Sequence, residues 1–137
     1  MNKKTLGNFF FMIGLSAILF FQTGLANRFS KIYISPTDTI KAVESGQGTL
    51  VDVREKDEVD AGMIQGAKWI SLSGISENST ESKAELSKID RSKEVLLYCR
   101  SGNRSGKAAT LLEKQGFKVR NAGSYSGLVD AGMKSTK

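Results

Sequence analysis

Residues 98–109 read Tyr-Cys-Arg-Ser-Gly-Asn-Arg-Ser-Gly-Lys-Ala-Ala and hold the only cysteine of the chain, Cys99, beside Arg100, Arg104, Gly102 and Gly106. A cysteine thiolate is a strong nucleophile, and the residue types around this one suit an anion. Gly102 and Asn103 tolerate unusual φ and ψ, so Arg100-Ser101-Gly102-Asn103-Arg104 can curl with its N–H groups pointing inward. A helix starting directly afterwards would add its positive end. Together with the loop amides and the guanidinium groups of Arg100 and Arg104, if they lie close, it would lower the thiol pKa. The same cradle would hold the outer sulfur of a persulfide or an incoming oxyanion. A lone cysteine can instead be a small buried filler. Here the six residues that follow, Arg-Ser-Gly-Asn-Arg-Ser, cannot all be buried, which favours a working thiol.

Composition removes several other chemistries. One cysteine cannot form an internal disulfide, and a chain without histidine has neither a Ser-His-Asp nor a Cys-His pair. No zinc or iron ligand spacing is present, so no metal is expected. Basic residues are scattered among acids, which speaks against nucleic-acid binding.

At 137 residues, 39% apolar and 25% charged, the chain has room for one compact domain. Residues 1–26 stand apart from it. Asn2, Lys3 and Lys4 form a basic head, Phe9 to Phe21 is an apolar run, and Thr23-Gly24-Leu25-Ala26 supplies the small residues that precede a signal-peptidase cut. The run is shorter than the roughly 20 residues of a comfortable membrane span, so a cleaved secretory signal is expected, with membrane attachment only if it is retained. The expected location is exported, in the periplasm. Removal of the signal leaves 18 basic residues against 14 acidic, a net +4, which suits a small anionic substrate or simply solubility.

The elements that must position Cys99 alternate between strand and helix. Lys31 to Ile34 reads as extended, and Ser35-Pro36-Thr37-Asp38 as an N-cap followed by a helix to about Glu44. Thr49 to Val53 reads as a β-branched strand ending at Arg54, and Glu55 to Ala61 as a short acidic helix. A turn over Gly62 to Ala67 leads into an apolar strand at Trp69-Ile70-Ser71-Leu72. Residues 73–83 are polar enough for an exposed loop feeding a helix over about Glu81 to Lys88. Glu94 to Tyr98 has the unbroken apolar run of a central parallel strand ending at Cys99. Ser105, Ala108, Ala109 and Leu112 recur at helical spacing until Gly116, Phe117 to Arg120 reads as a last strand, and a glycine-rich turn and short helix follow Gly123. This pattern predicts an α/β domain, a mainly parallel sheet with helices on both faces, and ligands beyond the carboxyl ends of the strands. Cys99 lies there.

The stretch CRSGNRSGKAATLL resembles the active-site loop and following helix of the rhodanese (sulfurtransferase) family, and VDVREKDEVDAGMIQGAKWISL resembles that family's other signature. The resemblance covers residues 33–132 of an expected domain at 27–137, and is similar in kind to the single-domain periplasmic phage-shock-type rhodaneses. It implies that Cys99 takes a sulfane sulfur from thiosulfate or a polysulfide, carries it as a persulfide and passes it to cyanide or a thiol. Arg100, Ser101, Gly102, Asn103, Arg104 and Ser105 would bind the anion or persulfide. Asp52 and Arg54 match the family's DVR element, with a supporting structural role. No cofactor beyond the covalent persulfide is implied, and the expected form is a monomer.

Two stretches depart from the family pattern. Met63 and Gln65 replace the histidine and proline of GHIPGA, and Gly123-Ser124-Tyr125-Ser126-Gly127-Leu128 replaces a Gly-Gly turn with a following tryptophan. Trp69, the one tryptophan, is expected to pack in the core or at its rim. Two rivals remain. A sulfur carrier or binding module would hand its sulfur to a dedicated partner. A cysteine phosphatase or arsenate reductase would want five residues between cysteine and arginine, where this chain has four, and an aspartate acid for which Asp52 or Asp57 can only be nominated.

Overall fold

The computed structural model describes residues 32–137. The expected signal segment, residues 1–26, lies outside the described residues. Helices α1 (Pro36–Glu44), α2 (Lys56–Asp60), α3 (Leu72–Glu77), α4 (Thr80–Ser87), α5 (Asn103–Lys114) and α6 (Tyr125–Asp130) alternate with strands β1 (Gly48–Asp52), β2 (Lys68–Trp69), β3 (Glu94–Cys99) and β4 (Val119–Ser124). The four strands form one parallel sheet in the order β2-β1-β3-β4. The fold is therefore the expected α/β architecture.

Strand β3 carries the core because it lies inside the sheet and has helices on both sides. Val95, Leu97 and Cys99 point to one face, where Val51, Val53, Ile75, Leu86, Ala108, Ala109 and Leu112 pack with them. Leu96 and Tyr98 point to the other, against Leu50, Ile64, Ala122 and Leu128. The first face is covered by α3, α4 and α5, the second by α1 and α6. The period of two along β3 thus places Cys99 beneath the start of α5.

Local chemistry explains the helix starts. Ser35 caps α1, its Oγ accepting the Asp38 N–H at 3.1 Å, with Pro36 at the first helical position. Ser71 and Ser79 cap α3 and α4 through the Gly74 and Ser82 N–H groups. These two caps correct the reading of residues 73–83 as an exposed loop. The polarity there belongs to caps and outward faces, while Ile75 and Leu86 anchor both helices in the core. Between them Asn78 takes a left-handed φ of 54°, which its short amide side chain tolerates.

Three strands also differ from expectation. Ile32 to Ile34 contributes one parallel bridge, Tyr33 to Asn121, rather than a strand. The strand placed at Trp69 to Leu72 is the two-residue β2 at Lys68–Trp69, since Ser71 turns the chain into α3. The last strand begins at Val119 and continues to Ser124, through a glycine at φ 84°. Its register shifts opposite Leu97 and Tyr98, so that Asn121 pairs Leu97 and Gly123 pairs Tyr98. That bulge at Ala122 brings Gly123 under the Cys99 loop.

Candidate active site

Cys99 ends β3, and Gly102 is the N-cap of α5 with φ 92° and ψ −8°. A side chain at Gly102 would be strained at this φ and would have its Cβ 3.4 Å from the Gly123 Cα, so a glycine suits the turn. No side chain within α5's own cap position accepts a hydrogen bond. The sulfur takes that place: the Gly102 N–H donates to Cys99 Sγ at 3.1 Å, and the Ser105 hydroxyl lies 3.5 Å from it. Burial raises the Cys99 pKa. The Ser105 hydroxyl and the backbone N–H groups of Ser105, Ser101 and Gly102 outweigh it, so the thiol sits below its ordinary value. Cys99 and Ser105 have no exposed surface, whereas Arg100, Ser101 and Asn103 form an exposed rim.

Arg104 does something other than expected. Its guanidinium makes a two-pronged pair with Glu58 of α2, Nη1 to Oε2 at 2.6 Å and Nη2 to Oε1 at 2.7 Å. The Arg104 bond holds the Glu58 carboxyl down at about 2 against the opposing effect of burial, and Glu58 in turn raises Arg104. The thiol is therefore tuned chiefly by amides and a hydroxyl, and Arg104 clamps the loop to α2. Such a fork-to-fork pair fixes direction as well as distance.

Asp52 and Arg54 form a buried pair at the end of β1, with Nη2 to Oδ2 at 2.7 Å and Nε to Oδ1 at 3.0 Å. Arg54 also donates to the Gly62 carbonyl at 2.7 Å and stacks 4.4 Å from the Tyr125 ring centroid. Desolvation disfavours its charge, but the Asp52 bond wins and its pKa is raised. The pair thus joins the chain after β1 to the turn before β2 through the Gly62 carbonyl and to α6 through the Tyr125 ring. Trp69 is 39% exposed at the edge of the sheet, its Nε1–H bonded to the Arg54 carbonyl at 2.8 Å. It is a rim residue.

Two residues of the site escaped the sequence reading. Glu58 is one acid among several in α2, and nothing local marks it as the partner of an arginine 46 positions later. Asn121 reaches over from β4: its Nδ2–H donates to the Gly102 carbonyl at 2.9 Å, while its Oδ1 accepts from the Gly123 N–H at 3.0 Å and from the Ser105 hydroxyl at 2.7 Å. Only the β4 register could have revealed it.

This geometry, a cysteine sulfur seated at a helix N-terminus on a parallel sheet, can be compared with known proteins. A family model, the rhodanese-like domain, matches residues 35–131. The chain belongs to the rhodanese-like domain family. The rhodanese-like chain is similar to YtwF of Bacillus subtilis (strain 168), 40% identical over 72 residues, 53% of this chain and 63% of that one. It is also similar to a sulfurtransferase of Allochromatium vinosum, 35% identical over 68 residues, 50% of this chain and 57% of that one. These matches cover less than two thirds of either relative. Among solved structures, the human single-domain sulfurtransferase TSTD1 is 26% identical with a TM-score of 0.63, over 72% of this chain and 96% of that one.

Proposed function

We propose that this rhodanese-like domain is a sulfurtransferase in which Cys99 carries a sulfane sulfur. The observation that carries the reading is the seat of Sγ: a sulfur that accepts the Gly102 N–H at 3.1 Å and faces the Ser105 hydroxyl, with further amides of the same loop lowering its pKa. In the proposed loading step the Cys99 thiolate attacks the outer sulfur of thiosulfate. The Cys99 S–S bond forms as the sulfur–sulfur bond of thiosulfate breaks, and sulfite leaves with the electron pair. One negative charge then lies on the outer sulfur of the persulfide. Attack on that sulfur by cyanide or a thiolate returns Cys99 as a thiolate. The cycle uses no metal and no organic cofactor.

Supporting the small cargo is the tightness of the loop, with four residues between Cys99 and Arg104. Phosphoryl chemistry is disfavoured because Arg104, the guanidinium that would clamp an oxyanion, is engaged by Glu58. Ser101, Gly102 and Ser105 are proposed to hold the persulfide through N–H groups. Arg100 and Asn103, exposed at the rim, would meet the incoming anion. We further infer that the domain works in an exported, periplasmic location, on the strength of the basic head, apolar run and small-residue exit of residues 1–26.

Intact mass spectrometry of the reduced protein before and after thiosulfate, then after cyanide, tests the reading. The expected result is a gain of one sulfur, its discharge as thiocyanate, and neither in Cys99→Ser. Sulfur gain without discharge by cyanide would instead mark a carrier with a dedicated acceptor. Turnover retained by Cys99→Ser would sink the proposal.

A further inference from the structure

Ser105 has one hydroxyl hydrogen and two acceptors. Its Oγ lies 2.7 Å from Asn121 Oδ1 and 3.5 Å from Cys99 Sγ. Serine and sulfur are both fully buried, so no water from the surface competes for that hydrogen. A buried hydroxyl left without an acceptor is costly, and a thiolate gains more from a donor than a neutral sulfur does. The two acceptors therefore suit different states of the cysteine.

We propose that Asn121 is a positioning residue that keeps the Ser105 hydrogen satisfied whenever Cys99 does not need it, and thereby sets how readily sulfur loads. With a free thiolate, the hydroxyl turns to Sγ. Asn121 Oδ1 is not orphaned by that turn, because the Gly123 N–H still donates to it at 3.0 Å. Once Sγ is bonded to a second sulfur, the negative charge has moved outward and Sγ is a poor acceptor. The hydroxyl then returns to Asn121. Throughout, the Asn121 Nδ2–H holds the Gly102 carbonyl at 2.9 Å, so the cradle keeps its shape while one hydrogen changes hands. The loaded half of this scheme rests on the sulfurtransferase reading, and the empty half does not.

The test is the pH dependence of Cys99 alkylation by iodoacetamide in the full protein and its variants. Asn121→Ala leaves the Ser105 hydrogen to the thiolate alone, and the apparent thiol pKa is expected to fall by about half a unit. The equilibrium constant for sulfur loading, read by intact mass over a series of thiosulfate-to-sulfite ratios, is expected to fall about threefold. Asn121→Asp keeps a stronger acceptor and a negative charge, and the pKa is expected to rise. Shifts of the same sign in both variants overturn the proposal, since a mere tether to Gly102 is lost equally in both. In a Ser105→Ala background, Asn121→Ala should add no fall, and an undiminished fall there also overturns it.

Should Asn121→Ala fail to fold, the Gly123 amide proton supplies the answer by NMR. It is expected to titrate with Cys99 in the wild type and to lose most of that response in Ser105→Ala, and an equal response in both proteins overturns the proposal. Failure to load sulfur together with the expected alkylation pattern would remove the sulfurtransferase reading and support the Asn121 assignment for the free thiolate.

Discussion

At the scale of the residue, the thiol is governed by hydrogen-bond donors more than by net charge. Arg104 and Glu58 make a neutral pair beside the site, and removing one member is different from removing both. Arg104→Ala should raise the Cys99 pKa, because it takes away a cation and leaves the Glu58 carboxylate unpaired. Glu58→Ala/Arg104→Ala should bring it back to within about 0.3 units of the wild type, since the pair has little net field. Alkylation rate against pH measures both, and a double variant as shifted as the single would show that the Arg104 charge acts directly on the sulfur. Gly102→Ala tests the amide side of the balance. Its φ of 92° disfavours a side chain by about 1–2 kcal/mol, and relief of that strain would pull the 3.1 Å N–H off the sulfur. The expected outcomes are a raised thiol pKa and a lower thermal midpoint in the same protein. Cys99 and its loop were legible as a sequence because the apolar run before Cys99 and the polar loop after it are contiguous. Glu58 and Asn121 were not, because each meets the loop only through the fold.

At the scale of the element, the departure from the family pattern at Met63 and Gln65 meets the C-terminal tail. Residues 134–136 run along residues 63–65: Gln65 N–H donates to the Lys134 carbonyl at 2.8 Å, Thr136 N–H to the Met63 carbonyl at 2.9 Å, and Ile64 bridges Ser135 in antiparallel fashion. A proline at position 65 has no N–H and could not make the first of these bonds. Gln65 thus allows a backbone bond that fastens the C-terminal residues to the turn before β2. Gln65→Pro is expected to lower stability by about 1 kcal/mol and to speed hydrogen exchange at Thr136. Unchanged exchange there would mean that the tail is held by the Tyr125–Ser135 hydroxyl contact instead. The sequence reading placed α1, α2, β1, β3 and α5 nearly in full, because each has a strong local signal: a serine and proline start, an acidic first turn, or an apolar run. The helix expected over about Glu81 to Lys88 is α4, but that reading missed α3 within the stretch expected to be a loop, where Ser71 acts as a helix cap and only tertiary burial of Ile75 makes the helix worthwhile.

At the scale of the whole molecule, the Glu58–Arg104 pair ties α2 to the start of α5 across the top of the sheet, and this link should govern the acid limb of stability. The native Glu58 carboxyl is held at about 2, below its unfolded value, so the unfolded chain binds a proton that the folded chain refuses as pH falls. The stabilisation is complete above about pH 5 and is lost progressively down to about pH 2. With both side chains about a quarter exposed, a loss of about 1–2 kcal/mol is expected from this pair. Denaturant unfolding from pH 7 to pH 2 measures it, and in Arg104→Ala that contribution should be absent. The chain has no histidine, so no imidazole adds a slope between pH 5 and 8. By itself the sequence determined the alternating α/β pattern, the central strand and the cysteine loop, because periodicity, turn residues and a polar run after a buried strand are local properties. Tertiary structure alone decided which charges pair, how the polar 73–83 stretch folds and which side chain shares the Ser105 hydrogen. Those outcomes depend on β-strand register and on contacts between residues tens of positions apart, which local sequence does not encode.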